Sequence, residues 1–235
     1  MNKKKLLIGI TLPVIFLIYF FISEKNYFQN NELFDVSFKD NKLSYIKLNG
    51  EKQKVPFFNF INQDGVYISN TDYNGKVYVI EFFYTTCPTI CPLMSKNLVN
   101  IQDAFLDYDN FGIASFSIAS TFDTPDILNK YAEAYGVVDK DWNLMTGNLT
   151  DIYELANSGF NLYVEQVPEV PGGIEHSGYF ALIDKEGYLR SRLDNFGNPI
   201  IYYLGTVSEA ERFNRDGNKE QISILKEDIK LLLEE

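Results

Sequence analysis

The chain has 235 residues, of which 46% are hydrophobic and 15% aromatic. This composition supplies enough apolar side chains for a folded core and excludes a wholly disordered protein. Lysine and arginine total 21 against 32 aspartate and glutamate residues, which gives a formal net charge of −11. Because an acidic surface repels phosphate backbones, we expect no nucleic-acid partner.

The N-terminal segment has the pattern of a membrane anchor. Three lysines at positions 3–5 precede an apolar run from Leu6 to Ile22, which is near the short end of the roughly 17–25 residues that span a bilayer. Positive charge before the run predicts a cytoplasmic N-terminus and an exported remainder. A cleaved signal peptide shares these features, but the run ends F-L-I-Y-F-F-I-S, without the small residues of a cleavage site. We therefore predict an uncleaved, single-pass anchor at residues 1–23 in the inner (cytoplasmic) membrane.

A polar tether at residues 24–32 leads into the predicted domain, residues 33–235. The predicted elements begin with a strand within 43–48, hairpin strands at 57–61 and 66–69, a buried strand at 77–84, a helix after the two cysteines and a strand at 111–119. A helix from 123 to 135, a short strand at 142–145, a short helix at 149–156 and hairpin strands at 178–183 and 188–193 follow. The last predicted element is a terminal helix from about 208 to 233, with an interruption near Gly217 as the alternative. Alternating strands and helices followed by a hairpin and a last helix indicate an α/β protein. A thioredoxin-like mixed sheet flanked by helices requires this order.

The two cysteines of the chain lie close together in the segment T-T-C-P-T-I-C-P, directly after the buried strand and at the predicted start of a helix. A helix N-terminus stabilises a thiolate. The spacing of Cys87 and Cys91 predicts that one helical turn brings both side chains to the same side, with their Cα atoms about 6 Å apart. Such a pair can close as a disulfide or bind a soft metal ion, copper(I) or zinc(II).

A purely structural disulfide is the simpler alternative, since exported cysteines usually pair. A loop this short gains little stability from closure, which weakens that interpretation. The three intervening residues also differ from the two of a conventional C-x-x-C oxidoreductase. Residue spacing alone leaves structural, redox-active and metal-binding roles open.

His176 is the one histidine of the chain and lies in P-G-G-I-E-H-S-G, a predicted loop before a strand. A lone histidine is more often a surface residue than a ligand. In a thioredoxin-like fold, however, this loop packs beside the helix that carries the cysteines. Two thiolates and one imidazole would then form a three-ligand set suited to copper in either oxidation state.

The segment Asp123-Thr124-Pro125 has a mainly structural interpretation. Asp123 or Thr124 can cap the following helix, and Pro125 suits its first turn. We expect at most a secondary part for this segment in shaping the site.

Together these residues resemble the Sco/SenC family, exported thioredoxin-like proteins that help to assemble cytochrome c oxidase. The matching motifs are F-F-Y-T-T-C-P-T-I-C-P at 82–92, D-T-P at 123–125 and H-S at 176–177, and the resemblance extends from about residue 55 to the C-terminus. It implies that Cys87, Cys91 and His176 are copper ligands. The chain has Thr89 where members often carry an acidic residue, and Glu175 where they often carry aspartate. Residues 120–122 also lack the proline and arginine often found there.

Two functions follow from the resemblance. The first is a copper chaperone, a binding protein rather than an enzyme, that delivers copper to the dinuclear copper site of cytochrome c oxidase subunit two or to another exported cuproprotein. The alternative is a thiol–disulfide oxidoreductase in which Cys87 and Cys91 form a redox-active pair that acts on exported protein cysteines. A thiol peroxidase is a third possibility, but the close cysteine pair and His176 argue against it.

Overall fold

A computed structural model of the chain describes residues 43–194 and 196–235. The predicted anchor, the tether and the first ten residues of the predicted domain lie outside these ranges, so the predicted boundaries stay predictions. Within the two described ranges, no helix is long and apolar enough to cross a membrane.

The described residues contain short and long strands that alternate with four α-helices. The strands are β1 Ser44–Tyr45, β2 Lys47–Leu48, β3 Glu51–Lys52, β4 Asn59–Asn62, β5 Tyr67–Ser69, β6 Val77–Phe83, β7 Phe111–Ser117, β8 Trp142–Thr146, β9 Val164–Gln166, β10 Ile174–His176, β11 Tyr179–Ile183, β12 Leu189–Ser191 and β13 Tyr203–Leu204. The helices are α1 Cys91–Phe105, α2 Pro125–Tyr135, α3 Leu149–Glu154, continued by a π-helical turn at Leu155–Gly159, and α4 Ile222–Glu234.

One mixed sheet organises these elements in the order β1-β12-β11-β6-β7-β8-β4-β5, with β13 paired to β11. Strand β6 pairs in parallel with β7 and β7 in parallel with β8, whereas β11 runs antiparallel to β6. Two small ribbons, β2–β3 and β9–β10, are separate from this sheet. The predicted α/β class and mixed sheet are confirmed.

Strand β6 lies in the middle of the sheet, and all seven of its residues are buried. Its sequence V-Y-V-I-E-F-F is a nearly continuous run of β-forming residues, as expected for a strand that is covered on both faces. Helix α1 packs against α2 and α4, and α4 also contacts β6. Strands β11 and β7 pair with the two edges of β6, and α4 contacts it. The loop that follows β6 therefore begins at a rigidly held residue.

Helix α2 begins and ends where the sequence predicts. The Thr124 hydroxyl accepts a hydrogen bond from the Ile127 amide, and Pro125 occupies the first turn. Gly136 has φ 81° and ends the helix in the left-handed conformation that glycine adopts without a steric penalty.

Two predictions for the last third of the chain are wrong. The terminal helix starts at Ile222 rather than near residue 208, because residues 208–221 include turns, one of them at Gly217 with φ 81°. His176 lies at the end of strand β10 rather than in a loop, because residues 174–176 pair with β9 in an antiparallel ribbon.

Candidate metal centre

The loop between β6 and α1 carries Cys87, and α1 begins at Cys91. The prediction that both cysteines lie on one helical turn is therefore wrong for Cys87. The physical reason is Pro88, because a residue that precedes proline is disfavoured in the helical region. No side chain caps the N-terminus of α1. Instead, the Cys91 amide donates a hydrogen bond to the Cys87 Sγ atom over 3.5 Å, so the helix end directs a positive partial charge at this sulfur.

Asp123 fixes the start of the same loop. Its carboxylate accepts hydrogen bonds from the Thr85 amide (3.0 Å) and from the Thr85 hydroxyl (2.5 Å). A third bond comes from the Ser117 hydroxyl at 2.6 Å, and Asp123 is fully buried. The helix cap is Thr124, so Asp123 is free to connect the end of β7 with the cysteine loop. The sequence predicted at most a secondary part for this segment in shaping the site. In the structure, Asp123 has that part through direct hydrogen bonds from Thr85, two residues before Cys87.

The β9–β10 ribbon brings His176 to the cysteines. The Nε2 atom of His176 lies 3.3 Å from the Sγ atom of Cys91, and its Nδ1 atom lies 3.2 Å from the carbonyl oxygen of Ser177. A carbonyl oxygen can only accept, so Nδ1 donates this hydrogen bond and Nε2 is the ring nitrogen that faces the sulfur. A hydrogen bond from the second ring nitrogen that orients the imidazole in this way is typical of metal-binding histidines.

Tyr84 positions the imidazole from the other side. Its ring meets the His176 ring edge to face, with centroids 5.7 Å apart, and its hydroxyl donates a hydrogen bond to the Ile174 carbonyl over 3.4 Å. Gly172, with φ 87°, lies so close to the cysteine loop that a Cβ atom at this position would collide with the Tyr84 hydroxyl and make a tight contact with Pro88. The loop between β9 and β10 therefore rests directly on the cysteine loop.

The two thiols are nearly inaccessible and differ in acidity. Cys87 is 6% exposed and Cys91 is 1% exposed, and both are free cysteines in the structure. A hydrogen bond from the Cys91 thiol, together with one from His176, holds the pKa of Cys87 far below its usual value of 9. Burial raises the pKa of Cys91 well above that value, and the hydrogen bond that it gives to Cys87 adds to the effect. Cys87 is therefore the more acidic thiol of the pair.

The predicted site residues are brought together as a group. One donor atom from each of Cys87, Cys91 and His176 lies within 4.8 Å of the others. Two sulfurs and an imidazole nitrogen at this separation are soft donors that suit copper(I), and the same set accepts copper(II) or zinc(II). The donors thus fit the metal that the sequence resemblance implies.

Glu81, one residue that the sequence analysis did not single out, lies beneath the site on β6. Its Oε1 atom accepts a hydrogen bond from the Ser115 hydroxyl (2.7 Å), and its Oε2 atom is buried without a hydrogen-bond partner among the described residues. Burial raises the pKa of this carboxyl to about 7. The signal in the sequence was its position, a single acidic residue inside a seven-residue apolar strand.

These features define a thioredoxin-like domain with a buried Cys-Cys-His centre at the end of its central strand. Residues 47–206 match the SCO1/SenC family, and the chain belongs to that family. The SCO1 protein homolog of Bacillus subtilis (strain 168) is 33% identical over 137 residues, which are 57% of this chain and 70% of the homologue.

Solved structures are consistent with this assignment. A SCO1/SenC family lipoprotein from Bacillus anthracis is 27% identical, with a TM-score of 0.63 over 77% of this chain and 95% of its own. ScoI of Bradyrhizobium japonicum, solved with copper bound, is similar in fold, with 23% identity and a TM-score of 0.52 over 60% of this chain and 88% of its own.

Proposed function

We propose that this chain is a membrane-anchored copper-binding protein that delivers copper to the dinuclear copper site of cytochrome c oxidase subunit two or to another exported cuproprotein. The observation that carries the proposal is the convergence of Cys87, Cys91 and His176 on one point. Copper-bound relatives of the same fold support it. The anchor, residues 1–23, would hold the domain on the outer side of the cytoplasmic membrane, which rests on the sequence pattern alone.

Delivery by this site would proceed through ligand exchange. The Cys87 thiolate, the deprotonated Cys91 sulfur and the His176 Nε2 atom hold the ion in a pocket that excludes most water. Cys87 is the more exposed of the two cysteines, and it lies on a loop rather than in α1. A ligand from the acceptor would therefore reach the ion on the Cys87 side, while Cys91 and His176 keep it bound until the acceptor's own donors complete its coordination.

The acidity of Cys87 favours thiol–disulfide exchange as a second candidate function. In that reaction the Cys87 thiolate attacks one sulfur of a partner's disulfide and forms a mixed disulfide. The Cys91 sulfur then displaces the partner, which leaves as a dithiol, while Cys87 and Cys91 become oxidised to a disulfide. This activity uses the same two sulfurs but has no need of His176 as a ligand.

Copper binding by the full-length chain in detergent, reduced before loading, tests the proposal. Wild type is compared with Cys87→Ser and Cys91→Ser, and copper per chain is measured after removal of free ions. We expect one copper per wild-type chain and its loss in both variants. Absence of copper from the wild type, together with a readily reversible Cys87–Cys91 disulfide, would instead establish the exchange reaction as the function.

A further inference from the structure

The β9–β10 ribbon has one face toward the cysteines and one toward solvent. Residues alternate between the two faces of a strand. Val164 and His176 are opposite each other across the two strands and share the inner face, where Val164 is buried. Glu165 and Glu175 are the next opposed pair and share the outer face, and both are exposed. The outer face therefore lies directly behind the histidine of the metal centre.

The stretch of sequence that contains the ribbon has acidic side chains but no lysine or arginine. From position 141 to position 184 the sequence contains seven acidic residues and no lysine or arginine. Glu165 and Glu175 on the ribbon and Glu169 in the loop between its strands are exposed, and within the described part of the chain none of them forms an ion pair. Other acidic side chains do have cationic neighbours, as Asp109 has Lys140.

The placement of these charges costs stability in the isolated chain. Like charges directly opposite each other on two strands are destabilising, and Glu165 is directly opposite Glu175. Apolar surface lies beside them. Tyr163 is 48% exposed, and its hydroxyl donates a hydrogen bond to Glu165. Tyr179, at the start of β11, is 41% exposed. A charged pair with an exposed aromatic ring beside it has the chemistry of the rim of a protein interface.

The geometry points to the outer face of the β9–β10 ribbon, with Tyr163, Glu165 and Glu175, and to the adjoining loop, with Glu169, as the docking surface for a protein that presents lysine or arginine side chains around its metal-accepting site. Cations on that partner would relieve the repulsion between Glu165 and Glu175. Gly172, in the loop that joins the two strands, lies against Pro88 in the cysteine loop, so a partner that covers this loop as well as the outer face would reach the residue beside Cys87. This inference rests on the proposed delivery function and specifies the charge of the recipient.

The test measures association of the full-length chain in detergent, copper-free and reduced, with the soluble copper domain of a cytochrome c oxidase subunit two. One double variant is Glu165→Gln/Glu169→Gln, which leaves the neighbour of His176 unchanged. The matched control is Asp64→Asn/Asp107→Asn, which removes the same charge elsewhere. Asp64 lies in the β4–β5 turn, whose Gln63 donates a hydrogen bond to the Trp142 carbonyl at the start of β8, and Asp107 lies beyond α1, a helix about 22 Å long.

We expect the association rate of the wild type to fall as salt is added, because exposed charges are screened within about 10 Å at moderate ionic strength. At low ionic strength the glutamate variant should associate about tenfold more slowly, and the aspartate control should remain within about twofold of wild type. Copper bound per chain should be the same in all three proteins.

An equal effect of the two double variants, a rate that does not respond to salt, or no association of the wild type would each overturn the docking surface. Copper binding by the chain alone is measured separately and decides the metal-binding function. Association that depends on the glutamates without any copper transfer would keep the docking surface and reject delivery.

Discussion

The Nε2 atom of His176 lies 3.3 Å from the Sγ atom of Cys91, although the two residues are 85 positions apart in the sequence. Two local arrangements produce this contact. Cys91 is the first residue of α1, and its side chain points inward at the end of the buried strand β6. His176 ends β10, whose pairing with β9 and whose Ser177 carbonyl set the direction of the ring. The fold places one arrangement against the other.

Removal of the imidazole should separate the two candidate functions. We expect His176→Ala to weaken copper binding by about 100-fold or more, because it deletes one of three ligands and even loss of a residue that only orients a ligand costs about 10–100-fold. Disulfide exchange at Cys87 and Cys91 should change only modestly. Competition with a copper chelator and exchange with a model disulfide measure the two effects. Retained copper affinity in this variant would refute the three-ligand centre.

Asp123→Ala should destabilise the cysteine loop. The substitution leaves the Thr85 amide, the Thr85 hydroxyl and the Ser117 hydroxyl without their shared acceptor. Because each buried unpaired group costs about 1–3 kcal/mol, we expect a loss of about 3 kcal/mol or more in the free energy of unfolding by denaturant, together with weaker copper binding.

The matched control is Thr124→Ala, which removes the cap of α2 and should cost only about 1 kcal/mol without a change in copper affinity. A result in which both variants lose equal stability and neither alters copper binding would show that Asp123 does not hold the loop.

Glu81 should make stability fall as the pH rises. Burial raises the pKa of its carboxyl from 4.5 in the unfolded chain to about 7 in the fold, so the folded state binds more protons between these two pH values. Stability then decreases with increasing pH across this window, by roughly 3 kcal/mol in total.

We expect Glu81→Gln to flatten this dependence, because glutamine has no proton to release while its side-chain oxygen can still accept from Ser115. Denaturant unfolding of both proteins at pH 4.5 and at pH 8 measures the difference. An identical loss of stability in the variant would assign the pH dependence to other groups.

Gly172→Ala and Gly173→Ala form a matched pair of substitutions in the loop that covers the cysteines. Both glycines have positive φ, 87° and 74° respectively, so alanine costs about 1–2 kcal/mol at either position. A Cβ atom at Gly172 would also collide with the Tyr84 hydroxyl, whereas at Gly173 it meets nothing within 4 Å.

Tyr84 packs against the His176 ring, so only the change at Gly172 should lower copper affinity, by about tenfold. Chelator competition on the two variants measures the effect. Equal affinities would mean that the contact between Gly172 and Tyr84 has no influence on the histidine.

Local patterns predicted most elements of the sheet and the position of α2. The β-forming run of β6 and the alternation of strands and helices follow from residue periodicity, and Thr124, Pro125 and Gly136 bound α2 through local hydrogen bonds and backbone preferences. The β9–β10 ribbon escaped prediction, because its strands have three residues each and are separated by a loop rich in proline and glycine.

The sequence by itself determined the chemistry of the site, because the two cysteines and the histidine can be recognised by residue type, spacing and motif. Only the tertiary structure decided how these residues act together. Cys87 is the acidic thiol because the Cys91 amide and thiol both donate to it. Asp123 belongs to the site because β7 adjoins β6, and the glutamates lie beside the metal centre because β9 pairs with β10. Each of these relationships joins separate segments of the chain, and hydrogen bonds and charge interactions act over a few ångströms in space whatever the separation in sequence.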